Sequence, residues 1–234
     1  MGLGEAKGRG LTVKPSVIVF DVNETLSDMS PLAGNFVEVG APAFLAKLWF
    51  AAVLRDGFAL TASGDSGSFA DIGSEALRGL FTGMELNRDI EPAVQHIMDG
   101  LAGLRLHPDV AEGIRGLQAA GYRLATLSNG STKVAEKLLT DAGIRDKFEL
   151  LLSVEDASAW KPGKVSYEYA ASACGAATEE MLLVAAHPWD IHGASRAGLA
   201  TAWLNRTGAR YPDYFQAPEH TVSRLPELVP ALGG

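Results

Sequence analysis

The sequence predicts an α/β protein built on a parallel sheet, and three observations predict it. Short apolar runs recur at residues 16–20, 123–127, 150–154, 181–186 and 201–204. From the second run onward, helical patterns separate them, at 109–120, 132–142, 165–174 and 191–197. Each pattern stops at a glycine: Gly121, Gly143, Gly175 and Gly198. Strand–helix–strand alternation with short connections gives a parallel sheet covered on both faces. Near-continuous apolar runs are what strands buried on both faces require.

Taken in order, the chain opens on a Gly-rich stretch, Met1 to Gly10, with no apolar core of a signal peptide. Residues 1–11 are expected to be a flexible end. The Met-Gly start has Ala6 where a myristoylation signal carries Ser or Thr. The first apolar run, Val-Ile-Val-Phe, ends in Asp21, and Thr25 follows four residues on. Ligands of open α/β sheets bind beyond the carboxyl ends of strands, where Asp21 is expected. A carboxylate there serves either as a nucleophile forming an ester or as a simple cap of the turn.

After Asp21 about eighty residues pass before the next strand–helix unit. They carry helical patterns at 41–54, 68–81 and 91–104 and no convincing strand. Such a length is too great for a loop in a compact domain. It predicts a helical cap at 32–104, inserted into a core formed by 12–31 and 105–234. The polar break at 60–67 contains glycines but no GxGxxG and follows no strand, so nucleotide binding gets little weight there.

Each later strand also ends in polar residues. The second gives Ser128-Asn129-Gly130-Ser131, either anion donors at a helix N-terminus or a helix cap. After the third comes Trp160-Lys161-Pro162, either solvated surface or a cation reaching back to Asp21, followed by a helix bearing Tyr167. The fourth delivers His187-Pro188-Trp189-Asp190, where Asp190 is either a functional carboxylate or a helix N-cap. Pro188 interrupts His187 and His192, which lack helical metal-ligand spacing.

Composition narrows the function classes. The 234 residues are 47% hydrophobic and 21% charged, as in an ordinary globular chain with a large core. A net charge of −8 argues against nucleic acid and anionic membrane surfaces as partners. No apolar run is long enough to span a bilayer, and a cytoplasmic location is expected. The single Cys174, in an Ala-rich helical stretch, is expected to be a small buried residue.

The set of Asp21, Ser128, Lys161 and Asp190 at successive strand ends resembles the signature of the haloacid dehalogenase superfamily. The resemblance runs from about Val17 to Asn205 and implies a Rossmann-like core with a cap. Most members are magnesium-dependent phosphatases with a second aspartate two residues after the nucleophile; Asn23 stands there and cannot act as an acid. The fourth motif supplies one carboxylate, a poor partner set for a hard cation. The better match is the L-2-haloacid dehalogenase (type II) branch, whose pattern resembles Phe20-Asp21-Val22-x-x-Thr25-Leu26, Leu127 to Ser131, Lys161-Pro162, Tyr167, Trp189-Asp190 and Asn205 to Gly208.

That branch implies a metal-free, cofactor-free hydrolase. Asp21 would displace halide from a small halogenated carboxylic acid, and water would hydrolyse the resulting ester. Thr25, Ser128, Lys161 and Tyr167 would position the reactants, while Asp190 would orient Lys161 and help activate water. Asn129 and Trp189 would help line the site, and homodimers are common among such proteins. Trp49 and Phe69 are either apolar walls of the pocket or core packing. The family's cap arginine aligns with Leu45, leaving Lys47 or Arg55 as substitutes. Asn23, Glu24 and His187 depart from the pattern, so the substrate pocket is altered; His187 could be a base, a donor or a spacer. Two competing readings are a phosphatase with an atypical metal site and a non-catalytic binding protein on this fold.

Overall fold

The computed structural model describes residues 14–233; the expected flexible end, 1–11, lies outside the described residues. The first strand, β1 (Val17–Phe20), is flanked by β4 (Arg123–Ser128) and β6 (Met181–Ala185). Outside them lie β5 (Leu150–Ser153) on one side and β7 (Ala200–Leu204) with β8 (His220–Val222) on the other, and every pairing is parallel. Val19 sits opposite Ala125 and Leu183, so β1 is the centre of the sheet. Its four residues are all buried, as an apolar run with both faces covered requires.

The period of two along β1 divides the core. Val17 and Val19 face α7 (Lys164–Cys174) and α8 (Pro188–Ala197). Ile18 and Phe20 face α5 (Val110–Ala119), α6 (Thr132–Asp141) and the short α9 (Leu228–Ala231). Gly175 and Gly198 end α7 and α8 in the left-handed conformation, at φ 59° and 103°. Cys174 is buried, and burial pushes its thiol pKa up.

Between β1 and α5 the chain makes a two-stranded antiparallel ribbon, β2 (Ser27–Asp28) with β3 (Arg105–Leu106). Within that ribbon's span lie α1 (Leu32–Glu38), α2 (Leu45–Ala62), α3 (Phe69–Phe81) and α4 (Ile90–Ala102). Their shared core is aromatic, with Phe36, Trp49, Phe69 and Phe81 at centroid separations of 5.9–6.4 Å. Ser68 caps α3 by accepting from the Asp71 amide.

The structure corrects several expected bounds. The α2 helix runs to Ala62, so Leu60, Thr61 and Ala62 belong to it, and the hydroxyl of Ser63 ends it on the Ala59 and Leu60 carbonyls. The α8 helix begins at Pro188, not Ile191, because proline's fixed φ suits the first helical position. Asp190 is therefore no N-cap; it sits in the first turn with its side chain buried. Ser131, not Asn129, caps α6. The short elements α1, α9, β2, β3 and β8 were not expected, since two to seven residues are too few to display a period.

Candidate active site

The carboxyl ends of β4, β1 and β6 and the loop after β5 converge on Asp21. Its amide donates to the Val184 carbonyl at 3.0 Å, which continues the sheet by one residue. The chain then turns sharply: the amides of Leu26 and Ser27 both reach the Val22 carbonyl, and Glu24 adopts a φ of 61°. That turn brings Thr25 back, and its hydroxyl donates to Asp21 Oδ2 at 2.6 Å. The same hydroxyl accepts from the Ala186 amide, tying the turn to the end of β6.

Lys161 is fully buried, not surface. Its Nζ donates to Asp21 Oδ1 at 2.9 Å and to Asp190 Oδ2 at 2.6 Å. Asn129 seats the loop that carries it, since its Oδ1 accepts from the Lys161 amide and its Nδ2 donates to the Lys161 carbonyl. Tyr167 donates to Asp190 Oδ1 at 2.6 Å. Gly193 lets α8 come this close, because a Cβ there would lie 2.6 Å from the Tyr167 hydroxyl.

His187 stands on the other side of Asp21. Its Nε2 is 2.8 Å from Glu24 Oε2, and its Nδ1 lies 3.3 Å from Asp21 Oδ2, at ion-pair distance without a hydrogen bond's alignment. Trp189 stacks on the imidazole at 5.1 Å between centroids, and the Lys161 ammonium is 6.0 Å from the Trp189 ring.

These contacts set the charges. Burial would raise the pKa of Asp21, but the Lys161 ammonium, helped by His187 and Thr25, holds it well below the usual carboxylate range. Asp21 is thus ionised at neutral pH. Burial would lower the pKa of His187, yet its two carboxylate neighbours push it up to about 9. Lys161 is held charged by Asp190 and Asp21 against the pull of burial.

Asp21, Thr25, Lys161, Tyr167, His187, Trp189 and Asp190 therefore form one connected cluster, with Asn129 joined through the Lys161 backbone. Ser128 is buried beside it, its hydroxyl accepting from the Gly130 amide. Asn23 stands near the same turn, its amide 3.8 Å from the place a Cβ on Gly130 would take. Trp49 and Phe69 lie one layer further out, with Phe69 6.3 Å from the Phe50 ring. Trp49 donates to the Gly73 carbonyl inside the helical insert, and Phe69 stacks on Trp160.

The aromatic side chains of the insert that do reach the cluster are Phe50, 6.0 Å from the His187 ring, and Phe58, 5.0 Å from that of Trp189. Both were missed, although Phe50, Leu54 and Phe58 share one stripe of α2 at spacings of four. Arg206 and Asp109 were also missed as a pair. Arg206 donates twice to the Thr25 carbonyl and once to Asp109, whose other oxygen takes the Leu225 amide. Of the three cap positions, Leu45 is buried and Arg55 pairs with Asp56 on the exposed surface. Only Lys47 of the three lines a cavity of about 680 Å³ that also touches Glu24 and His187.

A family profile described as haloacid dehalogenase-like hydrolase matches residues 15–198. The haloacetate dehalogenase H-2 of Moraxella sp. (strain B) is 30% identical over 92% of this chain and 97% of its own. An (S)-2-haloacid dehalogenase of Pseudomonas sp. (strain YL) is 32% identical over 91% and 92%. A solved dehalogenase with an intermediate complex superimposes with a TM-score of 0.87 at 29% identity, over 96% of this chain and all of that one. The chain belongs to the haloacid dehalogenase-like hydrolases.

Proposed function

We propose that the protein is a hydrolase of carbon–halogen bonds that converts 2-haloacids to 2-hydroxy acids through an ester on Asp21. One observation carries the reading: a buried, ionised carboxylate at a strand end, oriented on one oxygen by Lys161 and on the other by Thr25. The dehalogenase relatives support the reaction class. An Asp21 oxygen attacks C2, the halide leaves with the electron pair of the carbon–halogen bond, and C2 inverts. Water then adds to the aspartyl carbonyl carbon and the hydroxy acid departs, restoring Asp21.

The water step falls to His187 with Glu24. Both Asp190 oxygens are already engaged by Lys161 and Tyr167, which suits orientation better than proton transfer. While Asp21 is anionic, two carboxylates hold the His187 proton. Esterification removes one of those charges, so the imidazole releases its proton and becomes a base beside the ester. It takes one proton from the attacking water and returns it to the departing alkoxide oxygen. The second water proton, left on the Asp21 carboxyl, then passes to His187 and replaces the one given up to solvent on esterification.

A magnesium ion, as in phosphatases of this fold, finds a poor donor set. Asp21 and Asp190 are bridged by an ammonium, and among the described residues no three His, Cys, Asp or Glu side chains are grouped to hold a metal. The reaction needs no Lewis acid, because the carboxylate is ionised without one. We assign the helical insert the role of a cap, with Phe50 and Phe58 excluding water and Lys47 receiving the substrate carboxylate. No observation favours a phosphatase or a non-catalytic binder over this reading.

The test is turnover of 2-bromopropanoate in oxygen-18 water, with chelator and without added metal. Halide release with label in the Asp21 peptide is expected. Asp21→Asn should lower the rate at least about a thousandfold. Halide release that survives this substitution, or label absent from that peptide, would refute the ester.

A further inference from the structure

The Glu24–His187 pair has two sides. One faces Asp21, and the other is a wall of the 680 Å³ cavity between the helical insert and the ends of β6 and β7. The remaining walls are largely apolar, with Leu32, Phe50 and Trp203, and with the small side chains of Ala33, Ala43 and Ala46 where larger ones would fill the space. A cavity of roughly 300–1,000 Å³ is the size that encloses drug-sized ligands. A short haloacid has only a handful of non-hydrogen atoms and would leave most of it to water. Lys47 lines it and makes no ion pair among the described residues, and the carboxylates of Glu24 and Asp28 line it as well.

Resting on the dehalogenase reading, we propose that this cavity is a subsite for an apolar chain carried on C2 of the substrate. The preferred substrates are then 2-haloacids with an alkyl chain of several carbons, not the shortest members of the series. Asp21 attacks C2 on one side of His187 while the chain lies along Phe50 and the alanines on the other. Each methylene moved from water onto such walls is worth roughly a fourfold gain in kcat/KM.

The experiment measures halide release from the (S)-enantiomers of 2-bromopropanoate, 2-bromohexanoate and 2-bromooctanoate. It compares the wild-type protein with Ala33→Trp and Ala43→Trp, each checked for folding by thermal melting. Neither alanine is fully buried, so each position has room to adjust. The expected result is a kcat/KM that climbs about fourfold per added methylene in the wild type. In either folded variant the octanoate-to-propanoate ratio should fall at least tenfold. A flat or falling series in the wild type overturns the subsite and leaves the dehalogenase reading standing, as does a climb that both variants retain. No halide release from any acid overturns both. Should neither variant fold, the wild-type series alone decides.

Discussion

Lys161 neutralises two carboxylates at once, and removing a buried charge from such an arrangement leaves its partners uncompensated. The cost of burying Asp21, Lys161 and Asp190 is what a structural core would avoid and a reaction centre requires. Asp21 was legible in the sequence because it follows an apolar run directly, whereas Lys161 and Asp190 lie several residues past theirs and were singled out by the family resemblance. The seating of the Lys161 loop was not legible, since the Asn129 amide meets the Lys161 backbone across 32 residues. Trp49 and Phe69 could be either core or wall on sequence alone, because burial and pocket lining leave the same apolar letter. At this scale Lys47 is the cation to test. Lys47→Met should raise KM for 2-bromopropanoate roughly tenfold, the loss of one charged contact, with kcat within about twofold. Steady-state kinetics checks this, and an unchanged KM would remove Lys47 from the site.

The α2 helix connects the insert to the chemistry. Gly57 is the position that permits it: a Cβ there would lie 2.3 Å from the Trp160 ring. Gly57→Ala should cost about 1–3 kcal/mol, the price of overpacking a tight contact. A urea midpoint equal to the wild type's would show that Trp160 moves aside freely. The helices of ten or more residues could be read from their periods, whereas α1 could not, being seven residues behind Pro31. The start of α8 was misplaced because the pattern was counted from Ile191, while proline at its first position fixes the true beginning.

In the whole molecule, the strand order β5-β4-β1-β6-β7-β8 puts the functional strand ends side by side. The alternation of runs predicted a parallel sheet but could not order it, since strand neighbours are long-range pairings that local pattern does not encode. One charge in this assembly gives stability a pH signature. His187 is raised from 6.5 to about 9 in the folded protein. A raised pKa means the native state holds a proton that the unfolded chain gives up. The stabilisation is therefore complete below about 6.5 and is lost as pH climbs towards 9. Urea unfolding across that range should show stability declining with pH, and His187→Gln should flatten the decline. An identical slope in the variant would mean other groups carry it.

The helical insert is fastened at two separate places. One is the β2–β3 ribbon, where its entry and exit strands pair. The other is Trp160, which donates its amide hydrogen to Thr61 and its indole hydrogen to the Gly67 carbonyl, and lies flat on Phe69. A door needs a single hinge line; a roof pinned at two edges resists swinging open as one leaf. The cavity beside Lys47 lies under that roof, against Glu24 and His187.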